Sequence, residues 1–392
     1  MASSTAPSAA TWRLAPWASR LLVACFVAAI TVPGVATLAG LDREVQRDED
    51  QATAQPGLIG RAAWFDGHFA FRAWLVRAQA WLRFQLTRVS PLPTVWRGRD
   101  GWWYYAGDGA LEETLNLTML TPVELDAWCE TLQHTHDWLR GQGIAYVFVV
   151  APGKQTIYPE FLPDGLHPRA GKTRVDQVIE ALRARTRVPV LDLRGPLFAA
   201  KAAGGPALFH QTDTHWNDVG AAIGYREILK ALPPVAGLAP PLAAEAFTLT
   251  PTPQPGGDLA NMLGLDRTIR ETELRLAPAT PRRARIIEPP TRERGFGVPR
   301  MVTVVDDPSL PRAVFYRDSF GSALIPFLAE HFQRMVALWE YDVVPATIRE
   351  ERPQVVIQEW VGRRLYNRGP YDAVAEDAGA AADLRRSVPA RR

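Results

Sequence analysis

Ile144–Val150 (IAYVFVV) is an unbroken apolar run of strand length, the pattern of a strand buried on both faces. Shorter strand-like runs follow at Val188–Leu193, Met301–Val305, Arg312–Tyr316, Arg334–Leu338 and Gln354–Glu359. Between them the spacing turns helical. Thr121-Pro122 offers a cap and a first-turn proline for a helix running to about Arg140, stopped by Gly141 and Gly143. Further helices are predicted from about Lys172 to Arg185, from the N-cap Asn217 to about Leu232, over Phe320–His331 and over Val344–Arg349. Strands and helices in alternation predict an α/β fold, a mainly parallel sheet with helices on both faces. Asp100-Gly101 reads as a turn entering the aromatic strand Trp102–Tyr105. Residues 233–300 are proline-rich with few periodic segments, and are expected to form a long insertion or a partly extended flap over the core.

Upstream the pattern changes. Leu21–Leu41 carries no charged residue and follows Arg13 and Arg20, so it predicts a helix that crosses a bilayer with its amino end in the cytoplasm. Residues 1–20 are then cytoplasmic, 42–100 a juxtamembrane linker with a helical lead-in, 101–370 an extracytoplasmic α/β domain, and 371–392 a flexible basic tail. A cleaved signal with a site near Thr37-Leu38-Ala39 is the rival reading. The aromatic stripe over Ala62–Arg88 (Trp64, Phe65, Phe69, Trp74, Trp81) reads as a packing surface.

With 44 basic and 42 acidic residues the net charge is +2, and nothing in it points to nucleic acid. Two cysteines, Cys25 and Cys129, give no disulfide framework, and Cys129 reads as a small buried residue.

The chemistry concentrates in Asp213-Thr214-His215-Trp216-Asn217 and in Asp318-Ser319-Phe320. A serine hydroxyl needs a base in reach, and that base needs a carboxylate to fix its tautomer. Asp213 and His215 stand two apart and can face one pocket. Ser319 follows a strand and precedes a helix, at the carboxyl end of a sheet where ligands bind and where its own amide and that of Gly321 can face an oxyanion. The plainer alternative is that Asp318 and Ser319 only cap the helix. A metal site from His210, Asp213 and His215, with His167 in reserve, is a lesser alternative, and no metal is expected. Lys154 and Tyr158 lie just past the strand Ile144–Val150, where Lys154 can attract an acidic sugar; packing is the equal alternative for both. Trp216 is a sugar-stacking wall or a core tryptophan, and Asn261 a candidate oxyanion donor.

Taken together, DTHWN, the strand–DSF–helix unit, Gly101-Trp102, APGKQTIYPEFLP (Ala151–Pro163), Gly257-Asp258-Leu259 and RPQVVIQEWVGRRL (Arg352–Leu365) resemble the SGNH-hydrolase-like acetyltransferases that O-acetylate alginate and other exported polysaccharides. The resemblance covers most of the chain after the anchor. It implies an SGNH-like (flavodoxin-like) sheet with the Asp–His block before the serine block, a permuted order relative to ordinary SGNH hydrolases. It further implies Ser319 as nucleophile, His215 as base, Asp213 as its orienting carboxylate, and a periplasmic domain on a single-pass inner-membrane anchor. An exported polysaccharide would be the acceptor and a membrane-bound O-acyltransferase the acetyl donor, with no cofactor in this chain. Two positions depart from the family pattern: Arg317 stands where glycine usually precedes Asp-Ser, and Gly362-Arg363 where Glu-Arg is common. Arg317 can crowd the oxyanion turn or contact an anionic substrate, and Arg363 is a further candidate substrate contact. An esterase of the same architecture and a non-catalytic carbohydrate-binding scaffold are the alternatives.

Overall fold

The computed structural model describes residues 16–39, 71–87, 90–289 and 300–379. The linker expected at 42–60, the start of the aromatic stripe, the end of the proline-rich segment and most of the basic tail lie outside the described residues. The chain divides into two units, Met1–Leu82 and Arg83–Arg392.

In the first unit, helix α1 (Pro16–Leu38) starts five residues earlier than the apolar run and includes Arg20. Its Pro16–Thr37 stretch has a mean hydropathy of 1.9, long and apolar enough to cross a membrane, a test that a signal sequence also passes. Helix α2 (Arg72–Thr87) carries the described part of the aromatic stripe.

The second unit is built on a seven-stranded sheet. A small ribbon of β1 (Val95–Arg97) and β2 (Trp103–Tyr105) comes first. The turn joining them runs through Asp100 and Gly101 at φ 50° and 82°, a left-handed pair that glycine tolerates at its second position. Helices α3 (Ala110–Leu115) and α4 (Pro122–Arg140) lead into β3 (Ala145–Ala151). Thr121 caps α4 in a full capping box with Glu124. Then come α5 (Lys154–Ile157), α6 (Arg174–Arg185), β4 (Val190–Asp192), α7 (Arg194–Ala202) and α8 (Asp218–Ala231), whose cap Asn217 accepts the amides of Val219 and Gly220.

The proline-rich segment is more ordered than its composition predicts. Strands β5 (Phe247–Pro255) and β6 (Arg270–Pro278) form a nine-pair antiparallel ribbon, with helix α9 (Asp258–Met262) at its turn. Pro251, Pro253 and Pro255 occupy alternate positions, so their missing N–H groups all fall on the edge turned away from β6. After that, β7 (Arg285–Glu288) and β8 (Arg300–Val304) join the main sheet. The last strands are β9 (Arg312–Arg317), β10 (Arg334–Trp339) and β11 (Val355–Val361), with α10 (Ile325–Leu328) and α11 (Pro345–Glu351) between them.

The sheet order is β4-β3-β11-β9-β10-β8-β7. The first five strands pair in parallel, and β8 runs antiparallel to both β10 and β7. The alternating residues of β3, β9, β10 and β11 divide between two cores. One holds Val147, Phe315, Met335 and Ile357 with Trp216, Phe320 and α8; the other holds Phe148, Val314, Val336 and Trp360 with α4 and α6. Helices thus cover both faces, as the alternation predicts. The continuous helix expected over Phe320–His331 is instead a 3-10 turn (Phe320–Ala323), the four-residue α10 and a second 3-10 turn, with Pro326 in the first turn of α10.

Candidate active site

Two loops at the carboxyl ends of the parallel strands carry the chemistry. The first is a turn held by an isolated bridge between Phe209 and Trp216 and by the His215 carbonyl accepting the His210 amide at 3.2 Å. This turn lets Asp213 reach back onto His215. Asp213 Oδ1 accepts the His215 amide at 2.9 Å and lies 2.7 Å from the ring Nδ1. The contact fixes Nδ1 as the protonated nitrogen and leaves Nε2 as the basic one. Nε2 is buried and has no hydrogen-bond partner among the described residues.

The second loop follows β9. Ser319, half-buried, has α-region dihedrals (φ −65°, ψ −29°) and opens the Phe320–Ala323 turn. Asp318, which is buried, accepts the Phe320 amide (2.8 Å) on one oxygen and the Val361 amide (2.8 Å) on the other, so it fastens the serine turn to the end of β11. The two loops meet at Phe320: its carbonyl accepts Trp216 Nε1 at 3.0 Å, and its ring centroid lies 5.1 Å from that of His215. No hydrogen bond joins Ser319 Oγ to His215 Nε2. The amides of Ser319 and Gly321 have no protein acceptor among the described residues.

A third segment, not singled out for its chemistry by sequence, completes the neighbourhood. The Asp258 amide donates to Asp213 Oδ2 at 2.9 Å, and Asp258 Oδ1 accepts the Thr214 amide at 2.7 Å. Asp258 Oδ2 lies 3.6 Å from His215 Nδ1. Gly257 is packed so tightly that a Cβ there would sit 2.4 Å from Asp213 Cβ. Burial alone would raise the Asp213 carboxyl, but the hydrogen bond and charge of His215, with the two amides, hold it well below the usual carboxylate range. Burial and then the Asp213 charge push Asp258 the other way. One carboxylate is therefore held ionised against the imidazole, and its neighbour is the more easily protonated of the two. Only Gly257-Asp258-Leu259 hinted at this in the sequence, because the partner is 45 residues away from Asp213.

Asp213, His215 and Asp258 place ligand atoms within 4.8 Å of one another, a grouping able in principle to hold a cation. The set differs from the lesser alternative weighed in the sequence: His210 faces Glu271 Oε1 at 4.0 Å, and His167 is exposed elsewhere. Both Asp213 oxygens already accept amides, and Oδ1 also faces His215 Nδ1.

Several expected substrate contacts are buried instead. Lys154 is 1% exposed, and its ammonium donates to the carbonyls of His210 (3.0 Å), Gln211 (3.0 Å) and Asp213 (2.6 Å). It braces the underside of the His–Asp turn and offers nothing to an acidic sugar. Tyr158 is packed on Trp102 and its hydroxyl accepts the Leu208 amide. Trp216 is a core residue bonded to Phe320, not a stacking wall. Arg317 is also buried, donating to the Asp318 carbonyl (3.0 Å) and to Ser322 Oγ (2.9 Å). Its Cβ and Cδ fill the space that a side chain at Gly321 would need, so it packs against the turn that carries Ser319. Arg363 is buried with its guanidinium over the rings of Tyr105 and Phe320. Asn261 is exposed on α9, three residues past Asp258. Buried charges with backbone partners look, in sequence, the same as exposed ones.

A cavity of about 560 Å³ lined by Arg285, Asp306, Asp307, Arg312 and Arg334 lies at the amino ends of β9 and β10, opposite these loops. It is separate from the chemistry, because the serine turn follows the carboxyl end of β9.

Comparison with known proteins bears on the family and the fold. The family profile for the SGNH hydrolase-like domain of the acetyltransferase AlgX matches residues 95–339, more than half of the chain. The probable alginate O-acetylase AlgJ of Pseudomonas fluorescens is 31% identical over 177 residues, covering 44% of this chain and 42% of the relative. Its counterpart in Pseudomonas putida is 28% identical over 230 residues, covering 56% and 55%. The chain thus spans about half the length of these relatives. Among solved structures, Bacillus cereus PatB1 with a sulfonyl adduct shares the fold at a TM-score of 0.50 and 15% identity, covering 70% of this chain and 99% of PatB1.

Proposed function

The chain belongs to the SGNH hydrolase-like family of the acetyltransferase AlgX, and on that premise we propose that it transfers acetyl groups to hydroxyls of an exported polysaccharide through an acetyl-serine on Ser319. The observation that supports this reading most is His215: Asp213 fixes its Nδ1, and its Nε2 is buried, unpartnered and beside the turn that carries Ser319. Catalytic contacts of this kind often close only when substrate is bound, and a serine rotamer change is a small motion.

In the first half-reaction Ser319 Oγ attacks the carbonyl carbon of an acetyl donor while His215 Nε2 takes the hydroxyl proton. The amides of Ser319 and Gly321 receive the oxyanion. As the tetrahedral intermediate collapses, His215 returns that proton to the leaving group and acetyl-serine remains. An acceptor hydroxyl then attacks the same carbon, gives its proton to His215 and leaves as the acetyl ester, with Ser319 reprotonated. Asp213 stays ionised throughout and stabilises the imidazolium.

The probable alginate O-acetylases among the relatives make alginate the first acceptor to try. The apolar α1 is read as an uncleaved inner-membrane anchor, with the α/β domain in the periplasm and a membrane-bound O-acyltransferase supplying acetyl groups. The order of the Asp–His and serine blocks is read as the family's permutation. Changing Ser319 to Ala is expected to remove acetyl transfer with no change in the thermal midpoint beyond about 2 °C. Retained transfer in a folded Ser319→Ala chain would eliminate this mechanism.

A further inference from the structure

We propose that Trp339 is the stacking platform for a pyranose ring of the acceptor, held in place by Arg317; this rests on reading the site as a polysaccharide O-acetyltransferase. Trp339 is the last residue of β10 and pairs in parallel register with Arg317, the last residue of β9. Paired strands lie about 4.8 Å apart, and Ser319 is two residues beyond Arg317, so the indole is rooted within about 12 Å of the nucleophile.

The side-chain alternation places it on the correct face. Met335 and Ala337, at even spacing before Trp339, lie in the core shared with Phe315, Trp216 and Phe320, the side of the sheet that carries His215. Met335 to Leu338 are all buried, whereas Trp339 is 41% exposed, an indole at the rim of the serine loop rather than in the core.

It is also held rigidly. The Arg317 guanidinium carbon lies 5.1 Å from the indole centroid, and that guanidinium is tied to the Asp318 carbonyl and Ser322 Oγ. The cation–π contact favours this placement of the ring before any ligand arrives. A pre-fixed aromatic face loses little entropy on binding and suits the C–H face of a sugar, whose hydroxyls stay hydrated at the ring edge. Arg317 therefore acts on the acceptor through Trp339, without touching it.

The experiment is calorimetric titration of alginate oligosaccharides into the full-length Ser319→Ala chain in detergent, alone and combined with Trp339→Ala, Trp339→Leu or Trp339→Phe. Loss of the ring should weaken binding about five- to tenfold in both the Ala and Leu chains, while Phe stays within about threefold. Leu guards against a folding defect, because it keeps apolar bulk and lacks a ring face. Equal affinity in the Leu and Phe chains, or no binding by the chain with Trp339 intact, would overturn the platform. Failure of Ser319→Ala to abolish transfer would count against the reaction assigned to the site, whereas the binding ratios decide the platform.

Discussion

Replacing Lys154 by Met tests whether the His–Asp turn is braced from below. The ammonium donates to three backbone carbonyls between 2.6 and 3.0 Å, and it is sealed under the rings of Trp102 and Tyr104. Losing a hydrogen bond to a charged group costs about 1.5–3 kcal/mol, so three set an upper bound of about 5–9 kcal/mol. Two effects offset this. Methionine keeps the aliphatic stem, and it removes a charge that folding must desolvate, the same burial that pulls the ammonium down to about 7. The Gln211 carbonyl also keeps the Trp103 amide at 2.8 Å. A net loss of about 2–4 kcal/mol remains, which moves a urea midpoint by about 1 M for a slope near 3 kcal/mol/M. Measured below the titration of Lys154, where three protons meet three carbonyls, acetyl transfer should fall by at least about tenfold, because the peptide carrying Asp213 loses its anchor. A Lys154→Met chain with an unchanged midpoint and activity within about twofold would refute the brace.

Other expectations follow from single contacts. Gly257→Ala puts a methyl 2.4 Å from Asp213 Cβ; it should cost about 1–3 kcal/mol by denaturant titration and lower transfer more than it lowers stability, since the dyad itself must move. His331 is buried against the Tyr225 hydroxyl at 2.7 Å, and burial lowers its pKa from 6.5 to about 4. The unfolded chain therefore binds a proton that the folded chain refuses, so this stabilisation is complete above about 6.5 and is lost as pH falls towards about 4, a component of about 3 kcal/mol. His331→Gln should remove that component from the pH dependence of unfolding; an unaltered slope would contradict the assignment.

Much of this was legible in the sequence, for local reasons. The capping box at Thr121, the Asn217 cap and the apolar runs that become β3, β9, β10 and β11 are set by near neighbours. The β5–β6 ribbon was not, because alternating prolines argue against a strand until one knows that one edge has no partner. The break after Ser319 depended on weighing Pro326 against an apolar helical pattern. In the site, Asp213, His215 and Ser319 stood out because their chemistry has few alternatives. For Lys154 and Trp216 the sequence left substrate contact and packing open, and for Arg317 and Arg363 it offered substrate contact; all four are buried, because burial and backbone acceptors are tertiary facts. Asp258 was quoted in the sequence without a role for the same reason: its bonds to Asp213 and Thr214 bridge segments that only the fold brings together.

The most direct test of the central claim is intact-protein mass spectrometry of the full-length chain in detergent, mixed with an activated acetyl ester and then with alginate oligosaccharides or buffer. The account predicts a gain of about 42 Da, one acetyl group, mapping to Ser319 and discharged faster by the oligosaccharide than by water. An adduct that water alone discharges would make the protein an esterase, and a folded chain that forms no adduct on Ser319 would contradict the mechanism.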